Sequence, residues 1–493
     1  MREKIIGFLN SSKDYPILLG ISSGLYPLLY LYDKNFFLVS SWSQFMIFVL
    51  VFLILPTVCF LLFIYGLKNV KRFATYKLKI LSVLNFCFFT FFIVLVTFGI
   101  NKKKILLASL LVAFVLGVLL YKHLKKIIIF QFILASFAMV KILPSVYENL
   151  QYSYQWQAQA DDIKDVVFKK RPNIYYLQPD GFVGFDQVNK GYYKFDNSQV
   201  ESFLIDNNFT IYDNFRSNYT STLTSNSSMF SMKHHYYGVD QNLDDFYKSR
   251  EIIAGKNPVI EIFKRNNYKT NLILDVPYLV ANRPHMNYDY CNIDYNEIPY
   301  LVRGFEFEKN TTQDLSNAIE SNTANNNFYF VREPKPGHIA TRMSKSDGIQ
   351  LEREKYVIKL KESNQWVRTM VTDITAKDPN SIIIISSDHG GFVGFSYSLE
   401  SSIKTTDKDL VHSMFSSVLA VKWPENDTPD YTNSLKSSVN VFRVLFSYLS
   451  EEEGYLKSLE ADNSYGIIKE EAPSGVYELI NKQGEVVFNR FSN

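Results

Sequence analysis

Apolar residues fall into two regimes along this 493-residue chain. Up to about residue 147 they run almost unbroken, in five stretches near 15–32, 43–66, 80–100, 105–121 and 127–147. Phe45 to Tyr65 carries no charge at all. Several stretches approach the ~20 residues with which a helix crosses a bilayer. The first begins too late and is too poorly flanked for a cleaved signal peptide, and four more follow it. The pattern predicts a transmembrane region over residues 1–150 with about five helices. The fourth stretch is the weakest, because Lys102–Lys104 and Lys122–Lys126 crowd its two ends.

After Pro144 the chain turns polar, and residues 151–170 read as a juxtamembrane linker. From Asn173 short apolar runs alternate with longer amphipathic ones. Strands are predicted at Asn173–Leu177, Phe209–Tyr212, Thr270–Leu274, Phe328–Val331, Ser381–Ser386 and Ser417–Val421. Helices are predicted between them, at 197–206, 257–267, 313–320, 350–377 and 436–449. Within 350–377, Tyr356, Leu360, Trp366, Met370 and Ile374 approximate one helical face. Such alternation predicts an α/β domain over 171–450, a mostly parallel sheet flanked by helices. Residues 451–493 form an extension in which Val476–Leu479 and Val486–Phe488 flank Asn481–Gly484 as a β-hairpin. The polar runs Ser217–Ser228 and Asn322–Asn327 read as loops.

Charge divides the chain at the same place. Residues 1–150 hold sixteen Lys and Arg against four Asp and Glu, a net +12; the whole chain is +3, which leaves −9 for the remainder. The acidic globular half argues against a nucleic-acid partner. The strongest basic cluster, Lys68 to Lys79, falls between the second and third spans and is expected in the cytoplasm, with Arg2, Lys4 and Lys13. Five spans then place residues 151–493 on the extracytoplasmic side of a cell (inner) membrane. Cys291 is alone in that half, so no intradomain disulfide forms there.

The chemistry-bearing residues sit at strand ends. Ile382–Ile385 is followed by Ser386-Ser387-Asp388-His389-Gly390-Gly391, so a carboxylate and an imidazole emerge together where a buried strand stops. Asn173–Leu177 likewise runs into Gln178-Pro179-Asp180-Gly181. Two carboxylates from two parallel strands can hold one cation between them. Between these lies Ser217–Ser228, followed by Met229-Phe230, which can begin a buried helical face. A hydroxyl near the start of such a helix meets a positive dipole end that stabilises an oxyanion. His338 follows the strand Phe328–Val331 in Glu333-Pro334-Lys335-Pro336-Gly337-His338. His234 and His235 read as surface residues at a helix end.

Together these segments resemble, in order and approximate spacing over residues 171–450, the sulfatase-like branch of the alkaline phosphatase superfamily. The most specific motif is Ser387-Asp388-His389-Gly390-Gly391, and Ser438–Arg443 also resembles a segment of that branch. Membrane spans followed by such a domain are similar in architecture to lipoteichoic-acid synthases and phosphoethanolamine transferases. The resemblance implies Asp180, Asp388 and His389 as metal ligands, and Thr222 as the nucleophile and a fourth ligand. It implies His338 as a residue that either binds a second metal or contacts the transferred group or leaving group.

Two departures shape the expectation. True sulfatases use a cysteine that is converted to formylglycine, and Thr222 cannot be converted so. Two-metal relatives often carry Asp four residues before the His, where this chain has Pro334; Glu333 and Lys335 flank that place. One divalent ion (Mn, Zn or Mg) is therefore expected, with Lys335 or His338 supplying positive charge toward substrate. The expected activity is transfer of a phosphoethanolamine- or phosphoglycerol-type group from a membrane lipid to an envelope glycan or lipid. The alternatives are a membrane-tethered hydrolase of phosphate esters and a non-catalytic glycan-binding envelope protein.

Overall fold

The computed structural model describes residues 2–66, 70–99, 101–238, 246, 248–322 and 326–491. The chain forms two compact units, one built from the N-terminal part through Tyr152 with Pro299–Arg303, the other from Ser153–Ile298 and Gly304 onward.

Three helices among the described residues are long and apolar enough to cross a membrane: Trp42–Gly66, Thr75–Phe98 and Tyr121–Gln157. The first and fourth apolar stretches are also helical, as Pro16–Asn35 and the 17-residue Lys103–Leu119. Small residues set the approach of neighbours. A β-carbon at Gly24 would collide with the carbonyl of Phe52, and one at Gly20 with Thr57. Buried amides supply polar links: Asn85 Nδ2 donates to the Leu19 carbonyl at 3.2 Å and Gln131 Nε2 to Asn85 Oδ1 at 2.9 Å. Both devices are typical of helices packed without a hydrophobic driving force between them. Lys68, part of the basic cluster, lies outside the described residues.

The second unit is built on a seven-stranded sheet. Its strands in chain order are β1 (Ile174–Pro179), β2 (Phe209–Ile211), β3 (Lys269–Leu274), β4 (Tyr290–Cys291), β5 (Asn327–Glu333), β6 (Ile382–Ser386) and β7 (Leu419–Lys422). Their order across the sheet is β2-β7-β6-β1-β5-β3-β4. β1 is central and pairs in parallel with both β5 and β6, while β7 runs antiparallel to β6 and β2. β1, β5 and β6 are buried along their whole length, as their continuous apolar runs require. The helix Ile349–Lys377 covers one face, burying Tyr356, Leu360, Val367, Met370 and Ile374 in a core shared with Tyr175, Val331 and Ile385. Trp366 packs against that core half-buried.

A second, three-stranded antiparallel sheet contains β8 (Ser464–Ile468), β9 (Gly475–Ile480) and β10 (Val486–Arg490). β9 and β10 are the expected hairpin; β8 and the two-residue β4 carry too little alternation to read from sequence.

The run Ser217–Ser228 is not all loop. A helix occupies Thr222–Ser231, opened by Ser221, whose hydroxyl accepts the Thr224 N–H at 3.4 Å. The helix is polar in composition yet fully buried, with several of its polar groups finding internal partners. Ser227 Oγ donates to the Leu223 carbonyl at 2.7 Å, and Asn226 and Gln178 exchange amide hydrogen bonds of 2.8 Å. Of the other polar run, Asn322 ends the helix Thr311–Ser321 and Asn327 opens β5; residues 323–325 lie outside the described residues.

Candidate metal and nucleophile site

β1 and β6 are neighbours, so the residues that follow them emerge side by side, Asp180 from one and Asp388-His389 from the other. The turn after β1 is held tightly. Gly181 has φ +64° and packs so closely on the Gly337 carbonyl that a β-carbon would not fit. Tyr356 Oη donates to the Gly181 carbonyl at 2.8 Å and accepts the Val183 N–H at 3.2 Å. Across the gap, Ser387 Oγ donates to the Phe182 carbonyl at 2.6 Å.

Three acceptor atoms converge in the space so framed. One oxygen of Asp388, Oδ1, accepts the N–H groups of Gly181 and His389, each at 3.1 Å; the other, Oδ2, is buried without a partner. One oxygen of Asp180 binds Arg332, and the other, Oδ1, is likewise buried and unpartnered. His389 Nε2 stands 3.5 Å from Asp180 Oδ1 and 3.7 Å from Asp388 Oδ2. Its Nδ1 lies 2.8 Å from the Gly390 carbonyl, so Nδ1 carries the proton there and Nε2 presents its lone pair. All three ligand atoms lie within 4.8 Å of one another, the one such group of three or more among the described residues. Buried carboxylate oxygens are rarely left bare. A divalent cation satisfies all three atoms at once, so the residues present fit a metal.

The electrostatics express the same frustration. Burial, and then the Asp388 charge, raise the Asp180 carboxyl above the usual range, with Arg332 pulling against them. At Asp388 burial also pushes upward, but His389, Arg332 and the nearby Thr222 hydroxyl together outweigh it and hold the group low. His389 is opposed by burial, yet the two carboxylates raise it.

Thr222 is the first residue of its buried helix, with its hydroxyl close enough to stabilise ionised Asp388. It shares the wall of a cavity of about 390 Å³ with Asp180, Arg332, His338 and His389. His338 is held at Nδ1 by the Ile339 carbonyl, 2.6 Å away, and its ring centroid is 6.0 Å from that of His389. Burial, and then the neighbouring His389, lower the affinity of His338 for a proton. Asp180, Thr222, His338, Asp388 and His389 are thus brought together.

Lys335 is not. It forms an ion pair of 2.9 Å with Glu362, both side chains are about half exposed, and it is absent from the cavity wall. β5 runs two residues beyond its predicted end, so the cation at the strand terminus is Arg332, with Lys335 already past the turn. Glu333 also faces elsewhere: it accepts the Thr311 hydroxyl at 3.1 Å, and burial with the Asp275 charge pushes its carboxyl up to about 7. His234 and His235 are buried, not at the surface. His235 is stacked between Tyr219 and Phe246, with ring centroids 3.9 and 4.0 Å away, beneath the helix that carries Thr222.

Two aromatic residues of the cavity had no signal in the sequence. Tyr278 and Phe305 stack with centroids 5.3 Å apart, and the Arg332 guanidinium lies 5.6 Å from the Tyr278 ring. Phe305 is 62% exposed, an apolar face beside the site.

No family model and no curated protein matches the chain. Solved structures similar to it include three bacterial ones. One is the integral membrane lipooligosaccharide phosphoethanolamine transferase A of Neisseria meningitidis, at 12% identity over 86% of this chain and 95% of that one, with a TM-score of 0.42. A second is the C-terminal periplasmic domain of EptC from Escherichia coli, at 13% identity over 64% and 95%, with a TM-score of 0.41. The third is the lipoteichoic acid synthase LtaP of Listeria monocytogenes, at 13% identity over 66% and 91%, with a TM-score of 0.41.

Proposed function

We propose that this protein is a membrane-anchored, metal-dependent transferase of phosphoryl groups of the phosphoethanolamine or phosphoglycerol type, with Thr222 as its nucleophile. The observation that carries the proposal is a buried threonine hydroxyl at a helix start, beside two bare carboxylate oxygens and an imidazole lone pair. Asp180, Asp388 and His389 would hold one divalent ion (Mn, Zn or Mg), with Thr222 beside it. When bound, such an ion lowers the pKa of a neighbouring hydroxyl and neutralises charge on phosphate oxygens.

The chain's own residues do the rest. Thr222 Oγ1 attacks the phosphorus of a phospholipid headgroup, and the bond from phosphorus to the diacylglycerol oxygen breaks. The proton lost by Thr222 is balanced by the one gained by diacylglycerol. His338 is neutral, with its proton on Nδ1 and Nε2 open, and is the group on the cavity wall suited to carry that proton. Arg332 pairs with Asp180, opposing the upward push of burial on that carboxyl, and adds positive charge where the phosphate oxygens gather. In the second half-reaction an acceptor hydroxyl attacks the phosphothreonine, its proton returns to Thr222, and an envelope glycan or lipid is modified.

An odd number of crossings, three or five, from a cytoplasmic N-terminus places this domain on the extracytoplasmic side, beside donor lipid and envelope acceptor. Incubation with headgroup-labelled phosphatidylethanolamine or phosphatidylglycerol tests the proposal: diacylglycerol is released by the wild type and not by Thr222→Ala. Full release by that variant removes Thr222 as the nucleophile. Multiple turnovers of release, beyond one diacylglycerol per protein, without any acceptor make the protein a hydrolase.

A further inference from the structure

The domain holds a second cavity, of about 350 Å³, that shares no wall residue with the first. Its wall carries Arg216, Lys436, Lys482 and His412, with Asp186 as the one carboxylate among the lining residues. Residues 151–493 sum to −9, so this is a local reversal of sign.

Arg216 is the core of the feature. It is only 6% exposed. Its Nη2 is anchored by two main-chain carbonyls, those of Asp462 at 2.5 Å and Asn481 at 3.0 Å, which orient the guanidinium without bringing a full charge. Its Nε is buried with no partner. The Asp462 carboxylate acts on it as a countercharge, and it is engaged by Ser437 Oγ at 2.6 Å and Asn440 Nδ2 at 3.0 Å. Gly484, at φ +86° in the hairpin turn, lies beside Nη1: a β-carbon there would stand in van der Waals contact with it, at 3.7 Å. Among the described residues Lys436 reaches a main-chain oxygen, that of Asp213, at 3.5 Å. The Asp186 carboxylate accepts from the side chain of its neighbour Gln187 at 2.8 Å.

A buried, oriented guanidinium with two lysines around it matches a compact anion, and arginine recognises phosphate oxygens by its planar donor edge. The cavity exceeds the size of phosphate alone, and Asn214, Gln483 and Ser416 add neutral donors and acceptors to its wall. We propose that this cavity binds the phosphate group of a phosphorylated sugar, with Arg216, Lys436 and Lys482 on the phosphate and the amides on the sugar hydroxyls. The site does not depend on the metal centre, and it stands or falls apart from the transferase proposal.

Calorimetric titration of the full-length protein in detergent, with chelator present so that the metal centre is empty, tests this directly. Glucosamine 6-phosphate is expected to bind and glucosamine is not. Asp388→Asn is expected to leave that binding unchanged. The surface double variant K436E/K482E is expected to weaken it at least about tenfold, the loss of one charge-assisted contact. Arg216→Gln provides an independent variant, judged only if its melting temperature matches the wild type. Equal binding of glucosamine and its phosphate, or unchanged affinity in K436E/K482E, overturns the proposal. Inorganic phosphate binding as tightly as the sugar phosphate overturns the assignment of a sugar.

Discussion

Arg332 binds one oxygen of the Asp180 carboxylate, and the other oxygen of that carboxylate faces His389 Nε2 at 3.5 Å with no hydrogen-bond partner. The arginine therefore neutralises Asp180 from behind without filling the ligand position in front. Asp180 is raised by burial and by Asp388, and Arg332 is the strongest opposing charge. Arg332 thus opposes the burial and the second carboxylate that both favour the neutral form of Asp180.

Removing that cation exposes the cost. Both side chains are nearly buried, so Arg332→Gln leaves an uncompensated charge, a change worth about 3–5 kcal/mol at comparable sites. The loss is expected to be largest in chelator-treated protein and smaller with metal bound, because the metal then supplies the missing positive charge. Thermal unfolding of wild type and variant with and without chelator checks this; equal losses under both conditions contradict it.

Metal removal itself is expected to destabilise the wild-type domain. With the ion bound, folding gains about 2.7 kcal/mol at a hundredfold excess over the dissociation constant. Asp388→Asn and His389→Ala are each expected to abolish this gain. Metal analysis of the purified protein is expected to give one ion per chain; two at full occupancy contradict the ligand set.

His235 predicts a pH dependence separate from catalysis. Its Nε2 lies 3.0 Å from the Thr224 carbonyl and its Nδ1 accepts the Tyr237 N–H at 2.9 Å, so the ring is neutral and both nitrogens are occupied. Burial lowers its pKa from 6.5 to about 3. The unfolded chain therefore takes up a proton near pH 6.5 that the folded chain refuses until about pH 3. The stability is fully present above pH 6.5 and is lost as pH falls, by up to about 1.4 kcal/mol per pH unit. Between pH 6 and 5, His235→Gln is expected to flatten the stability–pH curve relative to wild type. Parallel curves count against this role.

The domain was legible where chemistry coincided with a strand end. The apolar runs before Asp180 and Asp388-His389 marked two buried strands, and parallel pairing of β1 with β6 places the residues that follow them together. Arg332 was missed because β5 continues past Val331, and a charge at position 332 carries no apolar signal. Its role follows from register: Arg332 lies opposite Gln178 on β1, two residues before Asp180. Likewise Thr222–Ser231 lacks an apolar stripe, and its burial rests on partners such as Gln178, which pairs with Asn226 from 48 residues away in sequence. Burial of His235 depended on Tyr219 and Phe246, which no local pattern ties to it.

The most direct test of the central claim is peptide mass spectrometry of the full-length protein after brief incubation with phosphatidylethanolamine or phosphatidylglycerol and no glycan acceptor. The predicted result is a phosphoethanolamine or phosphoglycerol mass on the peptide that contains Thr222, absent in Thr222→Ala and in chelator-treated protein. The same adduct on another residue of active protein, or diacylglycerol release undiminished in Thr222→Ala, contradicts the assignment.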